Sequence, residues 1–318
     1  MHVLLINKEE QEILIKLSKN IENIQANKVN IFLERAKEAS KYLPNRIKES
    51  LNEFIQNKDP IIVLKNLPIE KELPETPINN TFHIGETTLL AKIQAIINEY
   101  VGEMVSYEAE GYGLLFQDMV PNKQLSNTQT SLGSKVELEL HTEQAFSEVR
   151  PDYLCLACLR GNTDAKTFFL GINTIIENMS VQELIMLKDK LWNIGVDLSF
   201  TMNGCNGEIR GPLSILNSND NHLELVFDQD LIIGLNDDAK KLIDKIIKIY
   251  YENRKHVILE CGDLLIINNH RAVHGRSSFT PNYDGYDRFI IRSFIMTNID
   301  KIKHKTDSNG RMILKQFS

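Results

Sequence analysis

The sequence predicts a β-rich α+β fold, in which flanking α-helices cover a barrel or jelly-roll core. The first hundred residues mostly carry apolar side chains at helical spacing. After residue 101 the pattern changes to short apolar runs separated by turn signals, which is typical of a barrel or jelly roll. Because no internal repeat or low-complexity tract is visible, we expect residues 1–318 to form a single domain.

The domain is expected to have three parts. Residues 1–57 should form a helical part that packs on the core, and residues 58–298 should form the core with helical insertions. Residues 299–318 are polar and rich in lysine, so we expect a C-terminal extension on the surface.

The helices before the core follow from periodicity and from proline. A helix is expected over residues 7–20, where Asn7 is a suitable N-cap. Pro44 should divide residues 29–56 into two helices, because proline interrupts helical hydrogen bonding. A further helix is expected over residues 87–100, after a loop that contains several prolines.

The core strands are expected where apolar or alternating runs lie between turn residues. The run 60–65 should be the first of them. The later candidate strands are 112–117, 136–142, 153–159, 166–170, 222–227, 256–260, 263–268 and 288–297. Two helices, over 180–193 and 237–254, are expected to interrupt them.

Composition limits the possible partners. The formal net charge of −7, without a basic block, argues against nucleic acid or a membrane as the main partner. The first residues lack the cationic region of a signal peptide, and no apolar stretch approaches the length of a membrane span. We therefore expect a cytoplasmic protein whose four cysteines are reduced and mostly buried.

Two of the cysteines match the spacing of a metal-binding pair but are not expected to bind metal. Cys155 and Cys158 lie in an apolar run that should form a buried strand. An odd separation on a strand sends the two sulfur atoms to opposite faces. No second pair is present to complete a zinc site.

The most informative feature is the tripeptide His141-Thr142-Glu143, at the end of an alternating run. Residues i and i+2 of a strand share a face, so His141 and Glu143 can reach one ion. Two imidazoles and one carboxylate form the facial set of ligands of non-haem Fe(II) oxygenases, which leaves other coordination positions open. The spacing alone is common, so a third ligand has to come from elsewhere in the chain.

The third ligand is expected from the segment 268–276, a polar, histidine-bearing turn directly after an apolar strand. It contains His270 and His274. We favour His274, because of the two arginines that follow at fixed distance, and His270 remains the alternative.

Arg288 and Arg292 are four residues apart on a predicted strand and therefore share a face. If that face is buried, the two cations need anions, and carboxylates suit the geometry of guanidinium groups. If the face is exposed, both are ordinary surface arginines.

The polar loop 122–135 comes shortly before His141 in the sequence. It is a candidate lid or a simple surface connection.

These residues resemble the clavaminate synthase-like Fe(II)/2-oxoglutarate dioxygenases, whose nearest members hydroxylate free arginine, asparagine and lysine. The resemblance covers roughly residues 100–298. The matching segments are HTEQAF at 141–146, PDY at 151–153, Arg160, GDLLIINNHRAVHGR at 262–276 and FTPNYDGYDR at 279–288. The resemblance implies a double-stranded β-helix, or jelly-roll, core.

The resemblance also implies the roles of individual residues. Fe(II) would be held by His141, Glu143 and His274, with 2-oxoglutarate and O2 as co-substrates. The resemblance assigns the distal carboxylate of 2-oxoglutarate to Arg288 and, more weakly, to Thr167. It assigns a small-molecule amino-acid substrate to a set of six residues. These are Arg292 for the α-carboxylate, Glu110 for the α-ammonium, Asp228 and Asp230 for a cationic side chain, and Gln129 and Ser131 in the lid.

The acidic residues favour a basic amino acid as the substrate. Asp228 and Asp230 share a face if the chain is extended there, and a cationic side chain needs carboxylates. Both could instead lie in a solvated turn, and Glu110 could be exposed. We expect free L-lysine, hydroxylated at C4, and L-arginine is the alternative because it carries the same charges.

Two other classes of protein compete with this interpretation. A zinc hydrolase could use the same three ligands, but the helical H-E-x-x-H motif of zinc proteases is absent and the arginines would have no role. A metal-binding jelly-roll protein without oxygenase activity would not need open coordination positions. The sequence therefore favours an oxygenase.

Overall fold

Two β-sheets that face each other form the centre of the protein, seen in a computed structural model that describes residues 2–219 and 222–318. The strands are, in chain order, β1 (His2–Leu5), β2 (Ile61–Lys65), β3 (Glu103–Tyr107), β4 (Gln117–Met119), β5 (Leu138–His141), β6 (Tyr153–Arg160), β7 (Lys166–Gly171), β8 (Trp192–Ile194), β9 (Arg210–Leu213), β10 (Leu216–Asn219), β11 (His222–Leu225), β12 (Ile232–Gly234), β13 (Lys255–Ile258), β14 (Leu264–Asn268), β15 (Ala272–Arg276), β16 (Phe289–Met296) and β17 (Met312–Ile313). The helices are α1 (Lys8–Ser18), α2 (Val29–Ser40), α3 (Asn45–Asn57), α4 (Leu89–Val101), α5 (Ile172–Glu177), α6 (Val181–Met186), α7 (Leu198–Met202) and α8 (Asp237–Asn253).

The larger sheet has the strand order β1-β2-β14-β6-β16-β3-β17, with β4 paired to another part of β16. The smaller sheet has the order β13-β7-β15-β5. Apart from the parallel pairs β1–β2 and β3–β17, the strands of these two sheets pair antiparallel. Strands β12-β8-β9 and β10-β11 form two minor sheets.

The two main sheets share one apolar core. Leu154 and Phe294 of the larger sheet belong to the same buried cluster as Phe169 and Ala272 of the smaller sheet. The sheets therefore face each other, and burial of this apolar surface stabilises the pairing of the two layers.

Helices cover the outer faces. Helices α1 to α4 pack on the larger sheet through a cluster that includes Leu14, Phe32 and Ile266. Helix α8 packs on the smaller sheet, where Ile246 lies in one cluster with Val273. The fold is therefore β-rich α+β with flanking helices, as the sequence predicts.

Local sequence signals set the N-terminal helices as expected. The Asn7 side chain accepts a hydrogen bond from the Glu10 amide, and the Glu10 carboxylate accepts one from the Asn7 amide, which forms a capping box. Pro44 lies between α2 and α3, as the N-cap residue of α3. Cys155 and Cys158 lie on opposite faces of β6, in different core clusters, so they do not form a metal site.

Several expected elements are wrong. The first strand is β1, because His2–Leu5 pairs in parallel with β2. The expected strand 112–117 is instead a turn with left-handed backbone at Tyr112, and the strand begins at Gln117. The expected helix 180–193 ends at Met186, because Trp192 belongs to β8.

Two polar segments are more ordered than expected. The histidine-bearing turn 268–276 is half strand, because Ala272–Arg276 forms β15 between β7 and β5. The extension 299–318 is not only a surface segment. Its strand β17 pairs with β3, and Ile313 is fully buried in the core between the sheets.

Among the residues that the structure describes, no helix is both long enough and apolar enough to cross a membrane.

Removal of the Ile313 side chain beyond Cβ should destabilise the protein, because the C-terminal segment contributes to the core. We expect Ile313→Ala to lower the free energy of unfolding by about 2–5 kcal/mol in chemical denaturation. The matched control is Ile185→Ala, at a side chain that is 51% exposed, where a change within about 0.5 kcal/mol is expected. Equal unfolding midpoints for the two variants would contradict the packing of the C-terminal segment.

Candidate metal centre

Strand pairing brings the two distant histidines together. In the smaller sheet His274 of β15 lies directly opposite His141 of β5. Side chains at such paired positions project from the same face, about 5 Å apart at Cβ. The ring centroids of the two imidazoles are 4.3 Å apart.

The main chain of Glu143 is held by a buried asparagine. Glu143 follows the end of β5, and its amide donates to Asn269 Oδ1 at 2.7 Å. Asn269 Nδ2 in turn donates to the carbonyl oxygens of Glu143 and Pro151, at 3.0 and 2.8 Å. Asn269 is fully buried, so the end of β14 fixes the backbone on both sides of the carboxylate.

The three side chains present one nitrogen or oxygen each to a common point. Glu143 Oε2 lies 3.9 Å from His141 Nε2 and 3.5 Å from His274 Nε2. An ion with bonds of about 2 Å to each donor can bind all three atoms at such separations. In the described residues, these three form the group whose donor atoms lie close enough together to hold a metal.

Protonation also suits a metal. His141 Nδ1 lies 2.8 Å from the Glu139 carbonyl, and donation to it leaves Nε2 as the ligand nitrogen. Burial and the adjacent His141 lower the pKa of His274 to about 4, so its imidazole is neutral at pH 7. Burial alone would raise the pKa of Glu143, but Arg292 and the histidines outweigh burial and lower it to about 2. A neutral imidazole at His274 and an ionised carboxylate at Glu143 suit the two-histidine, one-carboxylate ligand set expected for Fe(II).

The alternative histidine lies elsewhere. His270 Nε2 is 2.7 Å from Asp152 Oδ1, and its Nδ1 is 3.0 Å from Arg150 Nη2. It is not part of the group around Glu143.

Arg292 is buried against the carboxylate of the metal group. Its Nη1 donates to Glu143 Oε1 at 2.9 Å, and its Nη2 forms an ion pair with Glu110. Its Nε donates to Gln117 Oε1 at 2.9 Å. Burial raises the pKa of Glu110 to about 7 despite the neighbouring Arg292. Glu110 is therefore not exposed, and Gln117 is a partner that sequence reasoning missed.

The acidic pair lies beside the histidine of β5. Residues 227–229 extend the smaller sheet, because Asp228 bridges to His141 and the Gln229 amide donates to the Leu140 carbonyl at 3.0 Å. Burial raises the pKa of Asp228 to about 6. Its Oδ1 accepts bonds from the Asp230 and Leu231 amides. Residues 229–231 form a turn in which Asp230 is exposed, whereas Asp228 is half-buried and bridged to β5, so the solvated-turn interpretation holds for Asp230 and is wrong for Asp228. Both residues line a cavity.

Two further carboxylates line the same cavity and were missed. Asp197 caps α7 and lies close enough to Asp228 to affect its pKa. Glu139 is two residues before His141 in an alternating strand, so alternation could have predicted its direction.

Among the residues that the structure describes, Arg288 is buried and forms no ion pair with a carboxylate. It is 8% exposed, and burial lowers its pKa to about 10. Arg292, four residues later, is 6% exposed, so the surface interpretation is wrong for both arginines. Thr167 of β7 is buried and lines the same cavity as Arg288.

The loop 122–135 borders the cavity and is bonded to the smaller sheet. The side chain of Gln129 forms two hydrogen bonds with the main chain. Its Nε2 donates to the Glu137 carbonyl at 2.8 Å, and its Oε1 accepts from the main-chain N–H of Glu139. The Ser131 carbonyl accepts a bond from Arg276 at 3.4 Å. Gln129 and Ser131 both line the cavity, although the side chain of Gln129 is already hydrogen-bonded to the main chain of residues 137 and 139.

The metal group, Glu110, Arg292, Arg288 and the acidic residues near Asp228 line one cavity of about 520 Å³. This volume lies in the range of small-molecule sites. Apolar side chains complete the walls between the charged groups, and they include Met119, Phe146, Leu156, Leu231 and Ile290. Two-histidine, one-carboxylate geometry in such a cavity defines the class of non-haem metal sites with open coordination positions.

Comparison with known proteins identifies the family. The L-lysine 3-hydroxylase of Catenulispora acidiphila is 44% identical over 292 residues, which cover 90% of this chain and 82% of that protein. Clavaminate synthase 2 of Streptomyces clavuligerus is 26% identical over 94% of this chain and 91% of its own. The chain belongs to the clavaminate synthase-like Fe(II)/2-oxoglutarate-dependent dioxygenases.

A solved structure supports the same fold. Asparagine oxygenase, in complex with Fe(II), 3-hydroxyasparagine and succinate, superposes with a TM-score of 0.89 over 99% of both chains, at 24% identity. Curated L-lysine 4-hydroxylases match less of the chain, at 24–26% identity over 54–75% of it. No protein-family model matches the chain.

Replacement of Asn269 by alanine should weaken metal binding, because the Glu143 backbone loses both of its hydrogen bonds to this side chain. We expect Mn(II) affinity, measured by electron paramagnetic resonance, to fall roughly 10- to 100-fold. The control is Asn268→Ala, at a neighbouring buried asparagine whose side chain accepts from the His270 amide. The control should lose stability but keep its metal affinity. Equal loss of affinity in both variants would contradict a specific role of Asn269.

Proposed function

We propose that this chain hydroxylates free L-lysine in a reaction that depends on Fe(II), 2-oxoglutarate and O2. The observation that carries this proposal is a cavity in which the metal group is flanked by an arginine–glutamate pair and by further carboxylates. The 44% identical relative, an L-lysine 3-hydroxylase, supports the choice of substrate. L-Arginine is the alternative, because it carries the same charges.

We also propose that the two facing sheets are a double-stranded β-helix and that residues 1–318 act as one dioxygenase domain. The shared core of the two sheets and the likeness to asparagine oxygenase support this architecture.

The metal would be held by His141, Glu143 and His274. Together, Fe(II) and 2-oxoglutarate supply the oxidative decarboxylation that yields succinate and CO2 and inserts one oxygen atom of O2 into a C–H bond. The protein's contribution is to orient the two substrates and to exclude water from the cavity.

The co-substrate would bind through Arg288 and Thr167. A buried guanidinium without a protein carboxylate needs an anion, and the distal carboxylate of 2-oxoglutarate supplies one. The buried hydroxyl of Thr167 adds a hydrogen-bond donor on the same cavity wall.

The amino-acid substrate would bind through both of its ends. The ion pair between Arg292 and Glu110 matches the α-carboxylate and α-ammonium of an amino acid. Asp228 and Asp230 would bind the side-chain ammonium, with Gln129 and Ser131 closing the cavity from the loop. The apolar walls suit the methylene groups between the two charged ends.

The position of attack is proposed to be C3. Arg292, the proposed partner of the α-carboxylate, also bonds Glu143 of the metal group, so this anchor holds the α-end near the metal. The relative with the greater identity is a 3-hydroxylase. The C4 position expected from the sequence is not confirmed, and it remains the competing outcome of the experiment below.

Aerobic turnover with each free amino acid should test the reaction and the substrate together. We expect L-lysine to give stoichiometric succinate and a product heavier by one oxygen atom, with a new CH–OH signal at C3 in the NMR spectrum. A signal at C4 would contradict the proposed position, and coupled turnover with arginine alone would contradict the substrate. Absence of succinate with every amino acid, in a protein loaded with Fe(II), would contradict the proposed function.

Neutralisation of the acidic pair should weaken lysine binding, because the side-chain ammonium loses its charge-assisted hydrogen bonds. We expect Asp228→Asn and Asp230→Asn each to raise KM for lysine roughly 10- to 100-fold, with KM for 2-oxoglutarate unchanged. The control is Asp237→Asn, at an exposed carboxylate in the first turn of α8. An unchanged KM for lysine in both variants would remove the pair from the substrate site.

A further inference from the structure

Arg276 is a buried cation that neither the fold nor the proposed site roles account for. It lies in β15, two residues after His274, so alternation turns both side chains to the same face. Its side chain lines the same cavity and is 5% exposed. In the register of the smaller sheet it lies directly opposite Thr167.

The hydrogen bonds of Arg276 leave one nitrogen without a partner. Its Nε donates to the Ser277 carbonyl at 3.1 Å, and its Nη1 donates to the Ser131 carbonyl at 3.4 Å. Its Nη2 is buried and has no hydrogen-bond partner among the described residues. A buried, unpaired donor on a cation is unfavourable, so this atom indicates a missing acceptor.

A second buried guanidinium lies on the same aromatic ring. The Cζ atoms of Arg276 and Arg288 are 5.1 and 6.0 Å from the ring centroid of Phe279. Among the described residues, neither arginine forms an ion pair with a carboxylate, whereas Arg292 forms two. Burial and the nearby charge of Arg288 lower the pKa of Arg276, so the two cations repel each other unless an anion lies between them.

We propose that Arg276 is a second cation for 2-oxoglutarate and that its Nη2 donates to the distal carboxylate beside Arg288. This inference rests on the proposed function. Thr167, the strand partner of Arg276, lines the same cavity as both arginines and adds a hydroxyl group to it. The three side chains together offer the planar, multiple donors that one carboxylate can accept.

The consequence concerns the choice of co-substrate. A 2-oxo acid without a second carboxylate would leave both guanidinium groups buried and unpaired. Arg276 therefore strengthens discrimination between 2-oxoglutarate and monocarboxylic 2-oxo acids, without a direct role in the reaction at the metal.

The test is an anaerobic titration of the Fe(II)-loaded protein, which follows the metal-to-ligand charge-transfer band as the 2-oxo acid binds. We expect Arg276→Gln to weaken 2-oxoglutarate binding roughly 10- to 100-fold and Arg276→Lys to weaken it less. The probe for the distal carboxylate is 2-oxopentanoate, which keeps the chelating end and replaces that carboxylate by a methyl group. Its affinity should be the same in the variants and in the unaltered protein.

The control is Arg271→Gln, at an arginine outside this cavity that bonds the Leu223 carbonyl and Asn173. It should leave both affinities unchanged. Equal weakening of both 2-oxo acids in Arg276→Gln would indicate a structural role and would overturn the inference. Unchanged 2-oxoglutarate binding in both Arg276 variants would overturn it too. Absence of the band in the unaltered protein would instead overturn the proposed function and, with it, this inference.

Discussion

The antiparallel pairing of β15 with β5 is the contact on which the candidate metal centre depends. It sets His274 opposite His141, and a slip by one residue would turn His274 to the other face of the sheet. The intervening side chains prevent this slip, because Leu140 and Val273 are buried in the cluster under α8. The apolar pattern that folds the smaller sheet therefore also aligns the two histidines. Asn269, directly after β14 of the larger sheet, holds the main chain of Glu143 beside them.

Charge compensation separates Arg292, whose charge is balanced within the chain, from the two buried arginines that have no carboxylate partner among the described residues. Arg292 has carboxylate partners within the chain, so its burial is balanced without a substrate. Among the described residues, Arg276 and Arg288 form no ion pair with a carboxylate. Within the same residues Asp228, beside His141, forms no ion pair with a lysine or an arginine. A cavity with uncompensated groups of both signs suits two ligands of opposite charge, such as a dicarboxylate and a basic amino acid.

Sequence reasoning succeeded where the signal is local. Alternation predicted that His141 and Glu143 share a face, and the cap at Asn7 set α1. It failed where long-range pairing decides the outcome. The four residues of β1 are too few for a periodic signal. They form a strand because they pair in parallel with β2, about sixty residues away in the sequence. Asn269 contacts Glu143 across a sequence separation of 126 residues, so no local pattern could indicate its role. The position of the Arg276 side chain, on the same face as His274, could have been predicted from strand alternation.

The bond between Arg292 and Glu143 connects these features. Arg292 occupies Oε1, while Oε2 faces the two imidazoles, so only one carboxylate oxygen is directed at the proposed metal. Monodentate ligation by Glu143 would keep one more coordination position open than bidentate ligation would. Because the same guanidinium is the proposed partner of the substrate α-carboxylate, arrival of the amino acid would redistribute its hydrogen bonds among Glu110, Glu143 and the substrate. Through this one side chain, substrate binding would then change the electric field at the proposed metal.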